Sequence, residues 1–286
     1  MHEIAGFLEL TLIKATPLIF AALAGVICER SGILNIALEG ALAAGAFTGV
    51  AVSSTTGSPL AGAFAGIVAG ALICGTLGIA ATRFRVDQIV AGTGLNVLAL
   101  GGAAYGIVVL FGTPGVTSEV HAFGAGGEAT LVAIALVATL GLQFAIDRTP
   151  WGLHLRACGE NPKAATSAGL DPRRIRLVAT LIGGMLAGLG GVFLSLGELD
   201  LYSDGMTAGR GFIALAAVIF GRWTPLGACG AAIAFGALSA LQFGLQRAGI
   251  PSELMQALPY VAALVALTGV LGRSRPPAAD GVALDS

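Results

Sequence analysis

Six polar side chains interrupt apolar stretches of this sequence and are its candidates for hydrogen-bond chemistry. Within these stretches they occur in pairs three or four residues apart, a spacing that places both members on one face of a helix. Amides and hydroxyls so placed can bind a polar solute weakly enough to release it. The alternative is that they hydrogen-bond neighbouring helices, and Glu39 in particular is expected to be structural as well, pairing near Arg30 or with a backbone amide. The six candidates for a solute pathway are Asn35, Glu39, Thr93, Asn96, Ser239 and Gln242.

Catalytic and metal-binding patterns are not visible in the sequence. The three histidines, His2, His121 and His154, are far apart, and none belongs to an HExxH motif or pairs with a serine. The four cysteines are scattered without a CxxC pair, which favours a role as small apolar fillers. No GxxxxGK[ST] loop is present to hold ATP phosphates. We therefore expect no enzyme activity, no catalytic residue, no metal and no cofactor.

The longest polar break covers residues 147–176 and holds six of the fifteen Lys and Arg residues. Asn161-Pro162 is typical of a helix start, because Asn caps free N–H groups and Pro loses no hydrogen bond there. Gly169 suits the left-handed position that ends a helix, and Asp171-Pro172 starts the next one. The pattern predicts a short helix of small residues that another protein surface can approach. A plain connector with good caps is the alternative.

Composition identifies the elements that must position these residues. Hydrophobic residues make up 56% of the chain and charged residues 11%, whereas soluble domains are about a quarter charged. Apolar stretches of about 18 residues or more are long enough to cross the bilayer as helices, and the alternation typical of barrel strands is missing. The sequence predicts an all-α polytopic membrane protein with about eight to ten transmembrane helices.

Nine apolar segments are candidate spans. They cover residues 8–28, 36–52, 59–81, 89–111, 129–146, 177–196, 211–221, 226–246 and 254–271. The segment 211–221 is too short to cross a membrane alone, so it begins earlier, is half-inserted or is broken. Two glycine ridges, Gly62-Gly66-Gly70 and Gly184-Gly188, predict close helix packing, either within one subunit or between subunits.

Basic residues predict the orientation. A cytoplasmic carboxyl terminus puts twelve of the fifteen Lys and Arg residues on the cytoplasmic side, as the positive-inside rule favours. We therefore expect the amino terminus outside and the 147–176 loop in the cytosol. Residues 1–272 then form a single transmembrane domain, and residues 273–286 form a short disordered cytoplasmic tail.

Three motifs together resemble a known family. They are RACGENPKAATSAGLDPRRIR at 156–176, ERSGILNIALEG at 29–40 and MTAGRGFIALAAVIFGRWTPLG at 206–227. The chain resembles, from about residue 10 to 270, the permease subunits of bacterial ATP-binding-cassette importers. It is most similar to the nucleoside and simple-sugar branch, which is related to the branched-chain amino-acid and ribose permeases.

The resemblance implies a pore-forming permease in the bacterial cytoplasmic (inner) membrane that translocates nucleosides or a simple sugar. In that family a short cytoplasmic helix sits in a cleft of the ATPase subunit, which hydrolyses ATP. The positions that match this coupling segment are Gly159, Glu160, Asn161, Ala164, Ala165 and Gly169. The implied partners are that ATPase subunit, a second permease subunit (homologous or identical), an extracytoplasmic substrate-binding protein and membrane lipid, with no nucleic acid.

Two features bear on these expectations. Acidic residues in the predicted outer loops offer contacts for the binding protein, although ordinary solvated loops look the same: Glu119, Glu128, Glu198, Asp200 and Asp204.

A secondary transporter or a facilitator of a small polar solute is the alternative function. A secondary transporter needs charged relays inside the membrane, whereas the few internal charges lie near span ends, so we favour the importer.

Overall fold

The fold is helical throughout residues 2–246, 261 and 275–284, the part of the chain that the computed structural model describes, apart from connecting segments and a single β-bridge. A π-helical turn, Phe193–Glu198, extends α8. The helices are α1 His2–Arg30, α2 Leu38–Thr56, α3 Pro59–Arg83, α4 Gln88–Phe111, α5 Gly124–Arg148, α6 Pro150–Glu160, α7 Pro162–Ser167, α8 Pro172–Val192, α9 Arg210–Phe220 and α10 Pro225–Gln246.

Local sequence signals set many of these boundaries. Ser58 caps α3 by accepting from the amide of Ala61, and Asp87 caps α4 by accepting from Ile89 and Val90. Gly57 and Gly112 end α2 and α4 in the left-handed conformation that glycine adopts without strain. Six helices of the described part are long and apolar enough to cross a membrane: α1, α3, α4, α5, α8 with its π turn, and α10. The predicted fold class is confirmed.

The two ends of the bundle differ in charge. We call "basic end" the end at which α1, α3, α5 and α9 finish and α4, α8 and α10 begin. Arg83, Arg173 and Arg174 line one cavity there, and Arg30 contacts the turn between α9 and α10. At the opposite end, the 112–123 loop meets the 199–209 loop through a β-bridge between Val116 and Ser203. The predicted clustering of basic residues at one end agrees with this arrangement.

Glycines bring α2, α3 and α8 into backbone contact in the centre of the bundle. A Cβ atom added to Gly188 would lie 2.4 Å from the carbonyl oxygen of Gly66, and one added to Gly45 would lie 2.4 Å from that of Gly188. Gly184 and Gly70 meet in the same way. Both predicted ridges therefore pack within one subunit, and the interpretation as an interface between subunits is wrong for these residues.

The predicted span 211–221 is a half-helix. α9 begins at Arg210, after the irregular segment 199–209, and runs only to Phe220 at the basic end. Within that segment Tyr202 is buried against Phe47 of α2. The start of α9 lies beside Glu39, near the beginning of α2. The chain therefore re-enters the bundle from the opposite end before α9 forms.

Span bounds also differ in detail from the expectation. The segment 31–37 is not helical, so α2 begins two residues later than predicted, at Leu38, and continues to Thr56. α5 is longer than the predicted span 129–146, mainly because it starts at Gly124, and α8 begins at Pro172 rather than at 177 because Asp171 caps it there. The predicted span 254–271 lies outside the described residues, apart from residue 261.

Residues 275–284 differ from the disordered tail that we expected. They form turns that contact the end of α6 and the start of α8. Pro277, Ala279 and Leu284 are buried. The prolines and small residues that suggested disorder instead allow the chain to follow the surface of the basic end closely.

Candidate functional site

The short helix α7 has a built amino-terminal cap. The side-chain Oδ1 of Asn161 accepts a hydrogen bond from the amide of Ala164 at 3.0 Å, and Pro162 occupies the first helical position. The amide of Asn161 itself donates to the carbonyl of Ala157, so the same residue ends α6. Its extended backbone (φ −150°, ψ 90°) makes the joint between the two helices. The predicted helix start is confirmed.

The carboxyl end of α7 is closed by glycine. Gly169 has φ +85°, and its amide donates to Thr166 while the amide of Leu170 donates to Ala165 at 3.0 Å. This pair of bonds is the Schellman arrangement, which needs a left-handed residue at this position. Two residues later Asp171 accepts from the amides of Arg173 and Arg174 and starts α8. The predicted glycine stop and second cap are confirmed.

The side chains of α7 divide into two faces. Ala165 is buried, whereas Ala164, Ser167 and Ala168 are exposed together with Gly169. A six-residue helix that is capped at both ends therefore presents an outward face of small residues at the basic end. Small side chains add little apolar burial to their own chain and leave the helix backbone open to close approach by a partner.

Gly159 is buried against the rest of the chain, whereas Glu160 is exposed at the end of α6. A Cβ atom added to Gly159 would lie 2.2 Å from the carbonyl oxygen of Arg30, so the last turn of α6 rests directly on the end of α1. The carboxylate of Glu160 accepts from the amide of Ala278 at 3.3 Å. Four predicted coupling residues therefore lie in α7 and its caps: Asn161, Ala164, Ala165 and Gly169. The other two, Gly159 and Glu160, lie in the last turn of α6, which supports α7.

Arg176 is the residue of this region whose structural role the sequence reasoning missed. Arg176 is 1% exposed, and its guanidinium donates to the carbonyls of Ser31, Ala279 and Val282 at 2.8 to 3.2 Å. Sequence reasoning counted it only as a topological charge. The available signal was its register, because it lies three and seven residues before the small residues Ala179 and Gly183, on the buried face of α8.

The end of α1 connects this region to α9. The Nε of Arg30 donates to the carbonyl of Trp223 at 2.7 Å, and the indole Nε1–H of Trp223 donates to the carboxylate of Glu29. Trp223 lies in the turn between α9 and α10 and is 5% exposed. Hence a continuous set of contacts runs from α6 through the end of α1 to the half-helix.

Three predicted pathway residues hold broken segments of the chain. The carboxylate of Glu39 accepts from the amides of Gly209 and Gly211, at 2.9 and 2.7 Å, and so satisfies the amino terminus of α9. Asn96 accepts from the amide of Gly40 and donates to the carbonyl of Ile36, around the start of α2.

Asn35 is buried in the same region. Its Oδ1 accepts from the amide of Ala37, and its Nδ2 lies 3.3 Å from the sulfurs of both Cys28 and Cys74. Because these contacts use its donors and acceptor inside the bundle, Asn35 fixes the non-helical segment 31–37. The environment of Cys28 and Cys74 was another feature that the sequence pattern did not reveal.

The other pathway candidates lie nearer the periphery. Thr93 is exposed on α4, where its hydroxyl bonds to the carbonyl of Ile89, whereas Asn96 is buried against the start of α2. Ser239 and Gln242 are half-buried on α10, and the hydroxyl of Ser239 bonds to the carbonyl of Phe235. The structure does not bring the six candidates together into one cluster.

The acidic candidates for an outer partner are only partly free. Glu119, Asp200 and Asp204 are exposed in the loops at the end opposite the basic end. Glu198 instead forms an ion pair with Lys14, and both side chains are largely buried. Among the described residues no group of three His, Cys, Asp or Glu side chains is placed to bind a metal ion.

These features define a helical membrane protein with a half-helix that starts inside the bundle and a capped, exposed helix on its basic end. The sequence matches the family of branched-chain amino acid transport system permease components over residues 7–267. The chain belongs to this family, whose members are transporter components rather than enzymes. It is a multi-pass protein of the cytoplasmic membrane. The family implies partnership with an ATPase and a substrate-binding protein.

Curated relatives are similar over nearly the whole chain. The guanosine ABC transporter permease protein NupQ of Bacillus subtilis is 37% identical, over 95% of this chain and 94% of its own. The nucleoside ABC transporter permease protein NupC of Lactococcus lactis is 33% identical, over 95% and 94%. The putative glucose ABC transporter permease protein TsgC13 of Haloferax volcanii is 32% identical, over 86% and 79%.

Proposed function

We propose that this chain is the pore-forming permease subunit of an ATP-driven importer and that its cargo is a nucleoside. Family membership and relatives named for ATP-binding-cassette transport support the importer. Relatives named for guanosine and nucleoside are 37% and 33% identical, and one named for glucose is 32% identical. The relative named for guanosine, at 37% identity, favours a nucleoside as the cargo, and a simple sugar is the second candidate.

The observation that carries the coupling assignment is the geometry of α7. It is capped at both ends by the chain itself, exposes small side chains outward and follows directly on α6, which rests through Gly159 on the end of α1. A partner that pushes on this capped helix displaces the end of α1 rather than bending a loop. We assign the ATPase subunit to this surface, which places the basic end in the cytosol.

The pathway residues receive different roles in this proposal. Glu39, Asn35 and Asn96 are positioning residues that hold α9 and the 31–37 segment, because their polar atoms are already paired inside the chain. Thr93, Ser239 and Gln242 remain candidates for lining a pathway between this chain and a second, homologous or identical, permease. Exposed Glu119, Asp200 and Asp204 are proposed contacts of the substrate-binding protein.

Reconstitution tests the proposal against a facilitator. The permease pair is placed in liposomes with its ATPase subunit and binding protein, and uptake of labelled guanosine, cytidine, glucose and leucine is measured with and without ATP. We expect nucleoside uptake that requires ATP and the ATPase subunit. ATP-independent uptake by the permease chains alone contradicts the importer, and uptake of glucose in preference to nucleosides contradicts the cargo.

Deletion of Ala164 and Ala165 tests the coupling assignment in the same system. The deletion removes more than half a turn from the six-residue α7. The cap at Asn161 and the stop at Gly169 are then too close, and wrongly rotated, to close the two ends of one helix. We expect uptake to be lost while the chain still inserts into the membrane. Normal uptake in this variant removes the coupling assignment and leaves the family membership untouched.

A further inference from the structure

The carboxy-terminal segment 275–284 binds the last turn of α6 at the basic end. The amide of Ala279 donates to the carbonyl of Gly159 at 2.8 Å, and the amide of Ala278 donates to the carboxylate of Glu160 at 3.3 Å. Gly159 and Glu160 are the two residues directly before the Asn161 joint that leads into α7. The segment therefore holds the support of α7 rather than α7 itself.

Arg176 ties the same segment to α1 and α8. Two of the three carbonyls that its guanidinium contacts belong to the segment, those of Ala279 and Val282, and the third is that of Ser31 just beyond α1. Burial of a guanidinium is costly unless its N–H groups are paired. Gly32 leaves the room for this group, since a Cβ atom there would lie 2.4 Å from Nη2. Loss of the segment would strip most of these partners from a buried charge.

The segment leaves the outward face of α7 uncovered. Ala164, Ser167 and Gly169 remain exposed with the segment in place. Between α7 and the segment lies an open cavity of about 560 Å³ that is lined by residues of both, among them Thr166 and Leu284. A segment that blocked a partner would cover α7, so this arrangement is that of a support.

We propose that residues 275–284 form a strap, fastened by Arg176, that locks α6 to the end of α1 so that displacement of α7 is passed to α1 and α9. This inference rests on the proposed function of α7 as the ATPase contact. Without the strap, the hydrogen bonds from Ala278 and Ala279 that hold the last turn of α6 are gone. A push on α7 would then rotate α6 about its contact on Arg30 instead of moving α1. Arg176 is in this sense a positioning residue for coupling.

Truncation within the complete importer tests the strap. The permease is ended at Ser274, directly before the segment, and the matched control is ended at Leu284, which keeps the whole strap. ATPase-subunit retention, ATP hydrolysis and substrate uptake are measured for each complex. We expect the truncated permease to retain the ATPase subunit and to hydrolyse ATP, while uptake per ATP falls at least about fivefold, the lower end of typical coupling between sites. The control is expected to match the full chain.

Two results of the truncation experiment overturn the strap. Unchanged uptake per ATP in the truncated complex shows that the segment has no part in coupling. Loss of the ATPase subunit shows that the segment is a docking surface instead. Arg176→Lys provides a full-length variant, because lysine keeps the charge but lacks the fork that reaches three carbonyls. We expect the same fall in uptake per ATP, with the exposed Arg174→Lys as the control that leaves it unchanged.

Amide exchange of the permease alone separates this inference from the proposed function. Peptides covering 275–284 are expected to be protected in the full chain and at least about tenfold less protected in Arg176→Lys, since loss of one charged hydrogen bond changes docking by about that factor. Absence of protection in the full chain overturns the strap whether or not an ATPase binds. Protection together with failure to bind an ATPase leaves the docking of the segment intact but overturns the proposed function, and with it the coupling role of the strap.

Discussion

Single residues at helix ends carry much of the function that we assign. Gly169 stops α7 at φ +85°, and no atom lies within 4 Å of an added Cβ, so its requirement is one of backbone conformation and not of space. Asn161 and Asp171 provide the side-chain caps before and after it. These residues fix the length and direction of a helix that has no apolar core of its own.

Gly169→Val should abolish uptake without preventing membrane insertion. A β-branched residue in the left-handed region costs about 1–2 kcal/mol or more, which is about a tenfold or greater loss of the closed helix end. Uptake in membrane vesicles is the measurement. Gly57→Val is the control, because Gly57 ends α2 at φ +66° with the same open surroundings but at the opposite end. Equal losses in both variants contradict a specific role for α7.

Glu39 is the residue whose change tests the half-helix. Both carboxylate oxygens accept from amides at the start of α9, and a glutamine offers only one acceptor and turns a donor toward the second amide. We expect Glu39→Gln to lower the stability of the purified permease by about 1–3 kcal/mol, measured by thermal unfolding in detergent. Exposed Glu119→Gln is the control. An unchanged unfolding temperature shows that Glu39 does not hold α9.

At the level of elements, the half-helix α9 and the short helix α6 both contact the end of α1, and α9 connects the interior of the bundle with its basic end. α9 begins inside the bundle at Glu39 and ends at the basic end, where Trp223 contacts Glu29 and Arg30 of α1. α6 rests on the same end of α1 through Gly159. Movement of α7 therefore has a short route to an element that starts in the interior, without crossing the tightly packed contacts of α2, α3 and α8.

The strap is expected to respond to pH through Asp280. Burial raises the pKa of this carboxyl to about 7, an effect that the Arg176 guanidinium and the amide of Gly281 oppose. Glu29 and Cys28 are the other titratable groups that interact with it. An acid whose pKa is higher in the docked state binds its proton more tightly there. Docking is therefore strongest at low pH and weakens as pH rises toward about 7.

Amide exchange of residues 275–284, corrected for intrinsic rates, measures this dependence. Protection should fall about tenfold between pH 6 and pH 8. At pH 6 the free carboxyl is already ionised whereas most docked carboxyls still hold a proton, so ionisation of the docked form over this interval weakens docking. Asp280→Asn should remain protected at both pH values, since its side chain is neutral throughout. A pH-independent exchange in the unaltered chain contradicts the titration of Asp280 in the docked strap.

At the level of the whole molecule, burial separates an inner group of helices from an outer one. The apolar stretch of α1 is 78% buried, whereas those of α4 and α5 are 22% buried. The outer helices therefore have faces for lipid or for the second permease chain that we propose. The helices at the centre, among them α2, α3 and α8, are held by glycine contacts in which backbone atoms touch. Small residues at such contacts are typical of helix packing in membranes.

Substitution of a central glycine should prevent correct assembly of the bundle. An added side chain at Gly188 meets the backbone of Gly66 and Gly70, which cannot move aside, so Gly188→Val is expected to lower the yield of folded permease by more than about tenfold. Gly94→Val on the open face of α4 is the control and should fold normally in detergent. Size-exclusion profiles of both variants give the comparison, and normal profiles for Gly188→Val contradict the packing described.

The sequence alone determined the membrane class, most span positions and the ends of α7, because these depend on apolar length and on caps that act within a few residues. Asn161, Pro162, Gly169 and Asp171 were readable for that reason. It also indicated that 211–221 cannot cross alone. The coupling role of α7 remains a prediction supported by family membership.

Only the tertiary structure decided which polar groups are already paired. Glu39 meets Gly211, Asn96 meets Gly40 and Arg176 meets Ala279 across 56 to 172 positions of chain. Sequence spacing within one helix contains no information on such partners, since the nearest neighbour in space is set by how helices pack. For the same reason the carboxy-terminal segment looked like a loose tail, and its place beside Gly159 became visible only in the fold.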